Sequence, residues 1–209
     1  MEDVLDVYAR PYDKLIPVIC MDEQPIQLLK ETREPIAATK SHPKRVDYEY
    51  ERAGTASIFM FAEPLAGKRK VSVRPQRTKV DWAIEVEELL NRDYADTEKI
   101  ILVCDNLNTH TRGAFYEAFP AEKAREIVKR IEFHYTPKHG SWLNIAECEL
   151  SAMTSQSLLH QRFSNIELLS RHIQAWAEKT NQKQRGVDWQ FSTDNARQKL
   201  KSLYPKIES

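Results

Sequence analysis

Alternating apolar and polar positions predict strands along the first third of the chain. The opening run, residues 16–22, is apolar and ends in an acid, and the next run could fold back on it as a hairpin. Turns are predicted at Gly54 and at Ala66-Gly67, and the polar, basic residues 32–46 carry two prolines, as loops do. The predicted strands are residues 16–22, 25–31, 47–52, 56–63 and 69–74.

Apolar side chains then recur at helical spacing, beginning with residues 78–92. Residues 99–104 are almost continuously apolar, which is typical of a strand buried on both faces. Further on, Ser141 is a predicted N-cap, and Ser192 or Thr193 is another. The remaining predicted elements are a helical stretch at 111–130 with a break at Pro120, a strand at 131–135, and helices at 142–160, 165–182 and 193–203.

The order of these elements predicts the fold class. Strands, a helix, a central strand, helices, a strand and further helices make an α/β layout, in which a mixed sheet is flanked by helices on both faces. This is the element order of the ribonuclease-H-like fold. A length of 209 residues suits a single domain, with an entry segment at 1–15, a core at 16–160 and C-terminal helices at 161–209.

Composition narrows the class of protein. The 31 basic residues balance 31 acidic ones, which argues against strong non-specific nucleic-acid binding but does not exclude DNA. No apolar run approaches the ~20 residues of a membrane span. The acidic N-terminus is also unlike a signal peptide, so we expect the cytosol and no membrane partner. Three widely spaced cysteines without a C-x-x-C pair argue against a disulfide framework.

Two acids stand at the ends of apolar strands. Asp22 closes the first strand and Asp105 closes the central one, and ligands in α/β proteins gather at the carboxyl ends of strands. Neighbouring carboxylates repel each other, and a divalent cation relieves that repulsion. Magnesium prefers such oxygen ligands. The pattern therefore predicts a magnesium site between Asp22 and Asp105.

A third acid is expected from the helix that begins near Trp142. Glu147 shares a helical face with Leu143 and Leu150, which we expect to face the sheet, so Glu147 would lie at the edge of the buried face. Glu149 aligns instead with Trp142 and is the competing candidate. Spacing alone leaves both acids open, with Glu147 preferred.

Longer sequence words cover nearly the whole chain. They are CMDEQPIQL at 20–28, DYEYERAGTASIFMFAEPLAGKRKV at 47–71, RTKVDWA at 77–83, LVCDNLNTHT at 102–111, HYTPKHGSWLNIAECELS at 134–151 and ARQKLKSLYP at 196–205. In these words and their order the chain resembles the insertion-sequence-630 branch of the mariner superfamily of transposases. The resemblance implies that Asp22, Asp105 and Glu147 are the catalytic DDE triad, with Glu147 in an L-N-x-x-E word. It also implies that they hold two Mg²⁺ ions, which Mn²⁺ can replace.

The same resemblance implies an activity. A DDE transposase cleaves DNA phosphodiester bonds at transposon ends and transfers the freed 3′-OH into target DNA. Its partners would be both of these DNAs, with a homodimer as an open alternative to a monomer, in the bacterial cytosol at the nucleoid. The family's N-terminal helix-turn-helix region has no counterpart in this sequence, so we expect little selectivity for transposon ends.

Polar residues around the triad are assigned supporting roles behind the metal ligands. Asn106 could orient a carboxylate or a water, and Asn144 stands in the word that carries Glu147. His110 could contact a phosphate or bond locally at a helix start. For the expected DNA contacts the alternative is a solvated surface or, for Trp142, core packing. These expected contacts are Arg69, Lys70, Arg74, Arg77, Lys138, His139 and Trp142.

Two other functions remain open from the sequence alone. One is another ribonuclease-H-like nuclease that cuts RNA–DNA hybrids or junctions with the same triad. The other is a non-catalytic remnant that only folds, self-associates or binds DNA. A comparison of substrates separates the first from a transposase, and a metal-dependent nicking assay separates the second.

Overall fold

A computed structural model describes residues 1–43 and 45–204. Lys44, in the predicted loop, and residues 205–209, at the end of the predicted C-terminal helices, lie outside the described residues. The described chain forms a sheet of five strands in the order β3-β2-β1-β4-β5. The strands are β1 Val18–Glu31, β2 Tyr50–Glu63, β3 Lys68–Arg74, β4 Ile100–Cys104 and β5 Ile131–Tyr135.

The sheet is mixed, as predicted. Strands β1, β2 and β3 pair antiparallel, whereas β4 is parallel to β1 and β5 is parallel to β4. Parallel neighbours need crossover connections, and helices supply them. None of the helices in residues 1–43 and 45–204 is long and apolar enough to cross a bilayer. They are α1 Glu2–Tyr8, α2 Lys79–Arg92, α3 Arg112–Ala118, α4 Ala121–Lys129, α5 Ile145–Met153, α6 Ile166–Asn181 and α7 Thr193–Lys199.

Helices cover both faces of the sheet because successive strand side chains point to opposite sides. On one face, Cys20 and Val103 belong to a core that α1, α5, α6 and α7 complete. On the other face, Met21 and Cys104 pack with α2, α3 and α4. The predicted ribonuclease-H-like sheet, flanked by helices on both faces, is therefore confirmed.

The predicted hairpin between residues 16–22 and 25–31 is wrong, because both runs belong to the single strand β1. β1 pairs with β2 from Cys20 to Glu31. Pro25 is tolerated inside β1 because the pairing with β4 ends at Cys20, so one edge of β1 needs no further N–H donors. Asp22 consequently lies within a long strand and does not end it.

The predicted turn at Gly54 is also wrong, and the one at Ala66-Gly67 is confirmed. β2 runs straight through Gly54, whose φ of +98° suits the shift in pairing register between Gln27 and Leu29. The chain turns only between β2 and β3, where Gly67 adopts a φ of +65°. β1 and β2 thus form one long antiparallel pair.

The helix that carries the third candidate acid starts later than predicted. Ser141 does not cap it but opens a 3-10 turn, and Asn144 is the N-cap of α5. The Oδ1 of Asn144 accepts a hydrogen bond from Ala146 N at 3.2 Å, and its Nδ2 donates to Met21 O at 2.9 Å. This cap therefore ties the start of α5 to β1, one residue from Asp22.

Residues 1–15, which the sequence predicted to be an entry segment, contain the helix α1. Its side chains Val4, Leu5 and Val7 are buried in the core. Its last residue, Tyr8, donates a hydrogen bond from its hydroxyl to Leu143 O at 2.7 Å. Helix α1 therefore supports the same sheet face, and the same turn, as α5.

Candidate active site

Asp22 lies in β1, and Asp105 directly follows the last residue of β4, the parallel neighbour of β1. The pairing of β1 with β4 runs Val18↔Ile101 through Cys20↔Val103. Asp22 lies two residues beyond Cys20 and Asp105 two residues beyond Val103, so both acids lie at the same end of this strand pair. The side chain of Asp22 shares the sheet face of Cys20, which α5 covers. The predicted strands of the two acids are therefore adjacent central strands of the sheet, and Asp105 lies one residue past the end of its strand.

Glu147 reaches the same region from α5. It lies in the first turn of the helix and is exposed. Asp22 and Glu147 line one open groove of about 550 Å³, together with polar residues of β1 and of the C-terminal half of α5. The fold therefore places Glu147 on one wall of the groove and Asp22 on the other.

Glu149, the competing third acid, has another role. It is buried, and its two carboxylate oxygens accept hydrogen bonds from Arg69 at 2.9 and 2.6 Å. A bidentate pair of this kind occupies both oxygens. Glu147, which forms no such pair within residues 1–43 and 45–204, is therefore the acid of α5 that is free to act in the groove.

Burial and neighbouring acids shift the pKa of Asp22. Burial raises the pKa of its carboxyl, and the negative charges of Asp105, Glu23 and Glu147 raise it further, to about 6. A hydrogen bond from Glu23 N to Asp22 Oδ1, 2.8 Å long, opposes these effects only in part. The acids thus share one electrostatic field, and that field favours any cation that enters it.

His110 lies behind Asp105 and cannot contact a phosphate, because its side chain is 0% exposed. Its Nδ1 is 2.5 Å from Asp105 Oδ1, and its Nε2 is 2.9 Å from Glu23 Oε1. Burial lowers the pKa of His110, but hydrogen bonds to Asp105, Cys104 and Glu23 outweigh burial and raise it to about 12. His110 is therefore a buried cation between two carboxylates, and it also stacks on Trp82.

The acids fit a divalent cation chemically, although they are not drawn together. In the described part of the chain, no three His, Cys, Asp or Glu side chains form a group arranged to hold a metal ion. Asp105 Oδ1 is buried without a well-aligned hydrogen bond, and Asp22 is held at a raised pKa. Carboxylates in this state gain from a hard cation.

The two predicted asparagines differ in position. Asn144 is buried and acts as the helix cap described above. Asn106 directly follows Asp105 and is exposed. Asn106 is therefore available to a substrate or a water, whereas Asn144 positions Glu147 only through the backbone of α5.

Four of the basic residues predicted to contact DNA, namely Arg69, Lys70, Arg74 and Arg77, form a cluster in the sequence, and most of this cluster is engaged within the protein. Arg69 is buried, and besides Glu149 its guanidinium donates to two backbone carbonyls, so the expected DNA contact does not suit it. Arg74 forms ion pairs with acids of α2, and Lys70 pairs with Asp93 at 2.8 Å. Of the cluster, Arg77 is the exposed member.

The predicted contacts that flank Glu147 are better placed. Lys138 and His139 are exposed in the loop before α5. Trp142 is also exposed, and its indole stacks on Trp189 with ring centroids 6.3 Å apart. The core-packing alternative for Trp142 therefore applies to one side of the ring only. These three side chains are free to meet a ligand.

Sequence reasoning missed Glu23. Its side chain is only 2% exposed and faces the opposite side of the sheet from Asp22, toward His110. A signal was present: Ile19, Met21 and Glu23 share one strand face, so an acid continues an otherwise apolar row. A buried acid in such a row requires a polar partner.

Similarity to known proteins agrees with this geometry. A family model described as DDE superfamily endonuclease matches residues 17–170, which include all three candidate acids. None of the curated proteins compared with the sequence matches it.

Among solved structures, the fold is similar to that of the catalytic domain of Mos1 mariner transposase. The TM-score is 0.56 and the identity 13%, over 87% of this chain and 83% of that one. The fold is also similar to the Mos1 transposase paired-end complex with left transposon end, with a TM-score of 0.53 and 16% identity over 82% and 53% of the chains. For the Mos1 mariner paired end complex with Mn, the values are 0.55, 14%, 87% and 55%. The chain thus spans about half the length of the Mos1 chains in those complexes, and at these identities the likeness shows the fold.

Proposed function

This chain belongs to the DDE superfamily endonucleases, and on that premise we propose that it is the catalytic domain of a DNA transposase. The observation that carries the proposal is the position of Asp22 on β1 and of Asp105 directly after the parallel neighbour β4, with Glu147 across the groove from Asp22. The sequence words quoted above support the finer proposal of the insertion-sequence-630 branch of the mariner superfamily.

The proposed reaction is cleavage of a DNA phosphodiester bond, followed by transfer of the 3′-OH to target DNA. Asp22, Asp105 and Glu147 would hold two Mg²⁺ ions, with Mn²⁺ as a substitute. When bound, such ions supply the charge that activates a water and stabilises the leaving 3′ oxygen. The protein's own part is to hold three carboxylates on two strands and a helix and to keep the groove open to a polymer.

Support for the metal comes from the carboxylate donors and the raised pKa of Asp22. The Mos1 complex named above was obtained with Mn, which agrees with the proposed use of Mn²⁺. Support for DNA as the partner comes from the exposed Arg77, Lys138 and His139 and from the Trp142 ring. A homodimer is proposed as well, and light scattering with and without DNA tests it.

A nicking assay on supercoiled plasmid tests the function. We expect cleavage that needs Mg²⁺ or Mn²⁺ and that Asp105→Asn abolishes. The matched control is Asp96→Asn, an exposed acid in the loop before β4, at the opposite end of that strand. Equal cleavage by wild type and Asp105→Asn would refute the proposed site. Preference for RNA–DNA hybrids over DNA duplexes would instead support a different nuclease.

A further inference from the structure

We propose that Glu23 is a positioning residue of this site, which acts through His110 to fix the orientation of Asp105. The inference rests on the proposed function, because it assigns Asp105 to the reaction. It concerns a residue on the opposite face of the sheet from the groove-facing acid Asp22.

The first step of the argument is the burial of the contact between Glu23 and His110. The Glu23 side chain is 2% exposed and the His110 side chain 0% exposed, with Nε2 and Oε1 2.9 Å apart. A carboxylate removed from water in this way is costly unless a donor compensates it. His110 is the only group that the structure shows donating to the Glu23 carboxylate among the described residues. The two side chains therefore depend on each other.

The second step is the fixed position of the imidazole. The His110 ring stacks on the buried Trp82, with centroids 5.3 Å apart. The Tyr135 hydroxyl donates to His110 O at 2.9 Å, which holds the backbone. With Glu23 on one ring nitrogen and Asp105 on the other, the ring cannot flip without losing both contacts. His110 is therefore a rigid connection between two carboxylates.

The third step concerns what this connection does for Asp105. Asp105 follows the last residue of β4, so no strand pairing holds it. Its Oδ1 is buried against His110, yet the side chain as a whole is 31% exposed. The exposed part therefore lies toward the other oxygen. His110 Nδ1 lies 2.5 Å from Asp105 Oδ1 and 3.3 Å from the backbone carbonyl oxygen of Asp105, and the second carboxylate oxygen is available on the solvent side.

The fourth step is the expected size of the effect. Partners of this kind, behind metal ligands, typically change metal affinity or activity by about 10–100-fold when they are removed.

The test compares Glu23→Gln with Glu63→Gln. Glu63 is also a buried acid and is 3% exposed, but it is the last residue of β2 and accepts a hydrogen bond from Tyr94 at 2.9 Å. We expect Glu23→Gln to weaken Mn²⁺ binding by about 10–100-fold, measured calorimetrically on the protein without DNA, and Glu63→Gln to leave it unchanged. If Glu23→Gln does not fold, Glu23→Asp is the second variant. It keeps the charge but shortens the reach to His110, and a loss of Mn²⁺ affinity is again expected.

A double-mutant cycle with His110→Asn tests whether Glu23 acts through His110. We expect the asparagine side chain to donate to Asp105 but not to reach Glu23. In that background Glu23→Gln should therefore cause no further loss of Mn²⁺ affinity. A full additional loss there, or Mn²⁺ affinity in Glu23→Gln or Glu23→Asp equal to that of Glu63→Gln, would overturn the proposal. If the variants show the expected changes in Mn²⁺ affinity but the wild-type protein does not cut DNA, the role of Glu23 is supported and the proposed function is refuted.

Discussion

At the scale of single residues, Asp22 and Asp105 lie in opposite electrostatic surroundings. Asp22 is buried among other carboxylates, and its pKa is raised to about 6. Asp105 contacts the cationic His110. Repulsion between neighbouring carboxylates, considered alone, leads to the expectation that Asp105→Asn stabilises the metal-free protein. The contact with His110 reverses that expectation for Asp105 and transfers it to Asp22.

The two amide substitutions should therefore differ in stability. Asp22→Asn should raise the free energy of unfolding of the metal-free protein, by up to about 2–3 kcal/mol, because its charged form is disfavoured when folded. Asp105→Asn should lower it by about 1–3 kcal/mol, because His110 loses a charged partner. Urea unfolding in chelator at neutral pH measures both. A destabilising Asp22→Asn would contradict this account.

The raised pKa of Asp22 also predicts a pH dependence. The carboxyl has a pKa near 3.8 when unfolded and about 6 when folded. Its stabilising contribution is therefore complete below pH ~4 and is lost as the pH rises through ~6. In chelator, the difference in stability between wild type and Asp22→Asn should grow across this range. With saturating Mg²⁺, the stabilities of wild type and Asp22→Asn should no longer diverge as the pH rises, because a cation favours the charged carboxylate. A difference that does not depend on pH would speak against the assignment.

At the scale of elements, two contacts with neighbouring strands hold α5 in place. Asn144 ties its first turn to β1, and the pair of Glu149 with Arg69 ties its middle to β3. Asn181 of α6 accepts from Arg69 N and donates to Arg69 O, both at 2.8 Å. The position of Glu147 over the groove thus depends on three neighbouring elements.

Arg69 and Arg77 should behave differently on substitution. Arg69→Ala leaves Glu149 buried without its partner, and we expect it to cost about 3–5 kcal/mol of stability and to impair cleavage. Arg77→Ala, at an exposed site, should change stability by less than about 0.5 kcal/mol. Chemical denaturation distinguishes the two. If Arg69→Ala instead weakened DNA binding without loss of stability, the original expectation of a DNA contact at Arg69 would be restored.

At the scale of the whole molecule, the basic and acidic residues balance at 31 each. Several of the basic side chains also form ion pairs within the protein, as Arg74 and Lys70 do. We propose that binding to DNA relies on exposed cations such as Arg77 and Lys138. Affinity that rests on few phosphate contacts is modest and falls as salt rises.

We therefore expect this chain to bind duplex DNA with a Kd of about 10⁻⁴–10⁻⁶ M at physiological salt. It should discriminate a terminal-repeat duplex from a scrambled one by much less than ~10³. Arg77→Ala should reduce the slope of log affinity against log salt by about 1. Fluorescence anisotropy across a salt series measures all three quantities. Thousandfold discrimination would show that end recognition resides in this chain.

Much of the fold follows from local pattern. Residues 99–104 indicated a buried central strand, and β4 is that strand. The predicted break at Pro120 is where α3 and α4 separate. The errors arose where a neighbour decides: β1 runs straight through Pro25 because β2 pairs with it on one edge while β4 has already ended on the other. Neither condition is visible in the residues around Pro25.

The sequence by itself determined the α/β class, the central strand β4 and the main helices, and it singled out Asp22 and Asp105, because helix and strand periodicities are local. Only the tertiary structure decided which acids face the groove and which are held in ion pairs. Glu149 meets a partner 80 residues away, and Glu23 meets one 87 residues away. Strand register and helix packing set such meetings. A pattern of polar and apolar residues does not encode which two distant polar side chains will come within 3 Å of each other.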